Sequence, residues 1–174
     1  MQQPTISRPD STEYAPYYGR YVDQVPQGDV LEILEAQLAQ TRETLAGVPS
    51  DRGTYRYAPE KWSLNQVIGH LCDTERVFAH RALWFSRADR QPLPGMEQDD
   101  YVAAANFDSR TPTDLADEFQ AIRLATLALF RSMSGEMLMR RGVASEVEFS
   151  VRAIPFIIAG HERHHWGVLE ERYL

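Results

Sequence analysis

The sequence has a single cysteine, Cys72, so no disulfide can form within the chain, and a reducing compartment is expected. It has no apolar run near the ~20 residues that span a membrane, and Met1-Gln2-Gln3-Pro4 lacks the basic-then-apolar pattern of a secretion signal. A cytoplasmic location is the resulting expectation. Clustered basic residues are also missing: the formal net charge is -7, and the arginines are scattered among acids. Nucleic acid is therefore not an expected partner, because phosphate binding needs grouped Lys and Arg. Repeats, heptad arrays and low-complexity tracts are absent too. What is present is an ordinary globular composition, 43% hydrophobic and 25% charged over 174 residues, enough for one domain with a real core.

Residues 1–28 form a Pro- and Tyr-rich arm with Pro4, Pro9, Pro16, Pro26, Tyr14, Tyr17, Tyr18 and Tyr21. The prolines preclude a long helix, and the tyrosines predict packing on the domain or on a second subunit. Residues 29–174 carry four amphipathic patterns. The first starts at Asp29, with Glu32 as its capping partner, and ends at Gly47 and Pro49. The second starts at Ser63, boxed by Gln66, and places Val67, Leu71, Val77, Phe78 and Leu83 inward. The third starts at Thr111, with Pro112 at the first helical position and Asp114 closing the box. The last runs from about Ser150 to Tyr173, with Pro155 near its first turn. Residues 91–110 and 134–149 are long connections, the former with a short helical turn, the latter ending in an extended Val147-Glu148-Phe149. These patterns predict an all-α four-helix bundle with long crossover loops.

Three of the five histidines fall in Gly160-His161-Glu162-Arg163-His164-His165. His161 and His165, at i and i+4, stack on one helix face, where two imidazoles can grip one metal ion. The run matches the His-Glu-x-x-His pattern of zinc proteases. That mechanism takes a third ligand from well downstream, yet only Trp166 to Leu174 follow, in the same helical pattern. The third ligand is expected upstream instead. His70 shares its helix face with Val67, Asp73, Thr74, Val77 and Arg81, and so faces the bundle interior. His70, His161 and His165 can then meet in the bundle core as a three-histidine metal site with an open coordination position, the alternative being that each is a separately satisfied core or surface group. His164 borders the same face as a substitute ligand or an outer partner, and His80 lies on a flank. Asp73 either orients a ligand or holds substrate, or else pairs with Arg76 on the surface. Arg81 either clamps an anionic substrate or joins an interhelix ion pair. Asp99 and Asp100 either overhang the open end of the bundle or are solvated loop acids. Cys72, opposite His70, reads as a small buried hydrophobe.

Lys61-Trp62-Ser63, Gly69-His70-Leu71 with Asp73-Thr74-Glu75-Arg76, Leu93-Pro94-Gly95 with Gln98-Asp99-Asp100, and the final histidine run together resemble the DinB superfamily, most closely its YfiT-like metal-dependent hydrolases. The resemblance implies a bundle, often a homodimer, with zinc or nickel on His70, His161 and His165. It also implies that the open position activates a low-molecular-weight thiol, such as bacillithiol or mycothiol, for S-transfer. The alternatives are hydrolysis at the same metal and a non-catalytic, stress-related metal binder.

Overall fold

The structure, a computed structural model, describes residues 5–174; Pro4 and the three residues before it lie outside the described part. Four long helices, α2 (Val30–Ala46), α3 (Leu64–Ser86), α5 (Pro112–Arg131) and α7 (Ala153–Arg172), form the bundle. Helix α5 packs on α2 and α3, and α7 packs on the same two, so α3, α5, α2 and α7 succeed one another around the core. Each helix buries its apolar stripe: Leu34, Ile68, Phe119 and Ile157 all sit away from solvent. Burying such side chains supplies the main driving force for the fold, about 1.5–3 kcal/mol each. Leu83, expected inward, is exposed because it falls on the outer flank of α3.

The expected caps form unequally. Ser63 accepts from the Gln66 amide and Gln66 reaches back to Ser63, a complete capping box. Asp29 caps α2 through the Leu31 amide without a reciprocal bond from Glu32. Thr111 caps α5, but the Asp114 side chain turns to Arg110 instead of closing a box, since a guanidinium is the stronger partner for a carboxylate. Helix α7 begins at Ala153, whose amide donates to Ser150 Oγ at 3.1 Å, and Pro155 fits its first turn.

The connections hold more structure than their sequences announce. Helix α4 (Gln98–Ala104) lies in the first. The second contains α6 (Gly135–Met139) and an antiparallel hairpin of β1 (Arg141–Ala144) and β2 (Val147–Ser150). The arm folds as α1 (Pro16–Val22) and packs on α7. Their approach is backbone-close: a Cβ on Gly160 would meet the Tyr21 carbonyl oxygen at 2.0 Å. Arg8 donates to the Val22 carbonyl at 2.8 Å, and Glu13 pairs with Arg152, which anchors the arm at two further points. No helix among the described residues is long and apolar enough to cross a membrane.

Candidate metal centre

Helix α3 carries His70 and helix α7 carries His161 and His165, all turned toward one another. One nitrogen from each ring lies within 4.8 Å of the others, and the Nε2 atoms of His70 and His161 are 3.1 Å apart. The i, i+4 spacing on α7 sets the His161 and His165 rings 4.5 Å apart, centroid to centroid. Nitrogens that share a tetrahedral ion at ~2.0–2.1 Å stand about 3.3 Å apart, so His70 and His161 already have the spacing of two ligands of one divalent ion, and His165 lies near enough to be drawn in as the third. His70 Nδ1 lies 3.3 Å from Thr74 Oγ1, one turn along α3. A hydrogen bond there fixes the tautomer that turns the Nε2 lone pair inward.

Burial makes the cluster chemically suited to a cation. It pushes the His70 pKa down to about 4 and His165 down to about 3. His161 falls well below the ordinary range, first by burial and then by the neighbouring histidines. All three are thus neutral imidazoles at neutral pH, the form that ligates metal. Trp62 lies 4.9 Å from the His70 ring and Tyr21 lies 5.3 Å from His161, which shields both rings. His164 is exposed, edge-on to Tyr21, and stands outside the three-nitrogen cluster.

The Glu162 carboxylate leaves this site entirely. It points into the bundle, where Arg123 Nη2 donates to it at 2.8 Å and Thr41 Oγ1 at 2.7 Å. Arg123 also forks onto Glu75 with two 2.8 Å bonds and donates to the Leu34 carbonyl at 2.9 Å. This cluster joins all four long helices. Burial raises the Glu162 pKa, and Arg123 opposes it. Burial alone would lower Arg123, but Glu162 and Glu75 outweigh it and hold the guanidinium charged. The periodicity of α5 places Arg123 inward, which is the one signal of this cluster in the sequence.

A cleft of about 340 Å³ opens from His70 and His161 and is walled by Tyr17, Tyr18, Phe78 and Arg81, with Glu97 and Asp99 of the α4 region at its rim. Asp73 does not reach this cleft. It faces Arg76 at 3.6 Å, and Thr74 takes the place beside His70 that was expected of it. Asp99 and Asp100 are both exposed, and of the two only Asp99 belongs to the cleft lining. Arg81 does line the cleft, without the interhelix ion pair that was its alternative. His80 is exposed on the flank, against Trp84. Cys72 is fully buried, and burial pushes its thiol far up, so it stays protonated.

The sequence profile of the DinB superfamily matches residues 33–169. The chain belongs to the DinB superfamily. Its fold is similar to that of YfiT from Bacillus subtilis, described as a probable metal-dependent hydrolase with an unusual four-helix bundle topology. The TM-score is 0.74 at 14% identity, over 86% of this chain and 88% of that one. No curated protein matches the chain in sequence. The superfamily assignment covers all four long helices and all three clustered histidines.

Proposed function

We propose that this DinB-superfamily chain is a divalent-metal-dependent enzyme that transfers the sulfur of a low-molecular-weight thiol to an electrophile, with His70, His161 and His165 as the ligands of zinc or nickel. The observation that carries this reading is the cluster of three neutral imidazoles, His70 and His161 buried and His165 half-buried, of which the first two line a cleft; such a donor set would leave a divalent ion an open coordination position. Such an ion, when bound, lowers the pKa of a coordinated thiol and holds it as thiolate. The rest falls to the chain. Thr74 holds the His70 ring in its ligating tautomer, and Trp62 and Tyr21 keep bulk water from the imidazoles. In the overall transfer the S–H proton passes to solvent, and the sulfur lone pair forms the new bond to the electrophilic carbon. The leaving group departs with the electrons of the bond that breaks.

Hydrolysis at the same centre is the second reading, favoured by the description of YfiT and by the carboxylates of Glu97 and Asp99 at the cleft rim. A free general base beside the ion would assist hydrolysis, although a bound metal can itself acidify water. The carboxylate adjacent in sequence, Glu162, is already engaged by Arg123 and Thr41, which favours the thiol reading.

The test is metal analysis of the purified protein followed by conjugation of chlorodinitrobenzene with added L-cysteine as the thiol. The expected result is one divalent ion per chain and thiol-dependent turnover, lost on chelation and in His70→Ala. Thiol-independent cleavage of an activated ester would establish the hydrolytic reading instead. A protein without stoichiometric metal, or one unaffected by His161→Ala, would overturn both and leave a non-catalytic bundle.

A further inference from the structure

Arg81 is a buried cation without an anion. It is only 4% exposed, yet no side-chain carboxylate pairs with it among the described residues. Its Nη2 donates to Ser145 Oγ at 2.9 Å and approaches the Pro94 carbonyl at 3.4 Å, both neutral acceptors. Its buried Nε has no hydrogen-bond partner among the described residues. The contrast with Arg123 is direct: that guanidinium, buried more deeply still, is matched by two carboxylates. Burying a charge without a counter-charge is costly, and an anion arriving from outside would offset that cost.

Position says where the partner comes from. Arg81 walls the cleft that begins at His70 and His161, and also an adjoining recess of about 290 Å³ lined by Leu93, Pro94 and Tyr101. From position 70 to position 81, α3 advances about 16 Å along its axis, and the side chain leans back toward the histidine end. Phe78 and Phe149 flank the guanidinium at 5.0 and 5.9 Å and confine its open side. The second holder, Ser145, sits in the hairpin turn with a positive φ of 54°, followed by Glu146 at 63°. Glycine or asparagine is the usual occupant of such a turn, and here a serine delivers its hydroxyl to Arg81.

We propose that Arg81 and Ser145 form a carboxylate seat, so that the substrate is a small molecule whose reacting end meets the histidine cluster while a carboxylate several bonds away binds Arg81. Glu97 and Asp99 line the same cleft, so the guanidinium of Arg81 is the place within it that favours a carboxylate. The idea deepens the proposed function by naming a substrate class, and rests on it only for which end reacts.

The test is calorimetric titration of the metal-free protein with succinate and with its neutral isostere succinamide. Saturable succinate binding, about tenfold tighter than succinamide, is expected. That preference should vanish in Arg81→Gln and fall about threefold in Ser145→Ala. Equal binding of acid and diamide, no saturable succinate binding, or a preference that survives in a folded Arg81→Gln would overturn the seat. If Arg81→Gln loses its helical circular dichroism, an unchanged ratio in Ser145→Ala overturns it instead. Because no metal or turnover enters, this outcome is separate from the fate of the enzymatic reading.

Discussion

Glu162 accepts a 2.8 Å hydrogen bond from Arg123 in the centre of the bundle, although it is the immediate chain neighbour of His161. A step of about 100° around α7 separates the two side chains. One therefore serves the metal-ligating face, and the other closes an ion cluster that ties α2, α3, α5 and α7 together.

That cluster makes Arg123 a point of high structural cost. Arg123→Met leaves two buried carboxylates unpaired and is expected to lose about 3–5 kcal/mol of stability in urea unfolding at neutral pH. The deficit should shrink as the pH falls, because an unpaired, buried Glu162 takes up a proton more readily than a solvated carboxylate. Glu162→Gln removes less, about 1–3 kcal/mol, because the amide can still accept from Thr41 and Arg123. Its bound metal should remain stoichiometric, which a metalloprotease-like role for Glu162 would also allow; only retention of full thiol-transfer turnover separates the two.

Metal loading should follow the three clustered histidines and not His164. His161→Ala and His165→Ala are expected to purify without stoichiometric metal, while His164→Ala retains it, as read by elemental analysis. Thr74→Val keeps the size of the side chain and removes the oxygen beside His70 Nδ1. A loss of about 10–100-fold in metal affinity is expected in competition titration, the usual cost of removing such an outer partner.

The pH dependence follows from the depressed histidines. In the native chain His70 sits at about 4 and His165 at about 3, against 6.5 when unfolded. Between those values the unfolded chain binds protons that the folded one refuses. The stabilisation is therefore complete above about 6.5, and it is lost as the pH falls toward 4, at about 1.4 kcal/mol per unit for each histidine. Urea midpoints of metal-free protein should drop over this window, and less so in His165→Ala. Metal affinity, by the same logic, should stay nearly flat down to about pH 5, because native imidazoles are not yet competing for protons.

The contact between Gly160 and the Tyr21 carbonyl predicts the fate of the arm. Gly160→Ala would force a methyl to 2.0 Å from that oxygen, so α1 must lift from α7. A loss of about 1–3 kcal/mol is expected, with faster hydrogen exchange confined to residues 16–22. If exchange in α1 is unchanged, the arm is not seated through this contact.

Much of the frame was legible from local signals. Ser63 with Gln66, and Pro112 behind Thr111, mark helix starts through bonds that span three or four residues, so sequence spacing reports them directly. The pairing of His161 with His165 is legible for the same reason, as is the inward side of α3 that carries His70. Glu32 and Asp114 show where this reading ends. Their spacing allowed a capping box, but Asp114 found Arg110 through space and Glu32 made no reciprocal bond.

By itself, then, the sequence determined the four helices and the histidine faces, because helical periodicity is a property of each segment alone. Only the tertiary structure decided which inward polar groups found partners. Arg123 and Arg81 look alike in the chain, each an arginine on an inward helical face. One meets Glu75 and Glu162 across the bundle, and the other meets neutral groups, Ser145, Pro94 and the Phe78 and Phe149 rings, beside an open cleft. The difference is made by helices distant in sequence, whose charges arrive at one arginine and not at the other.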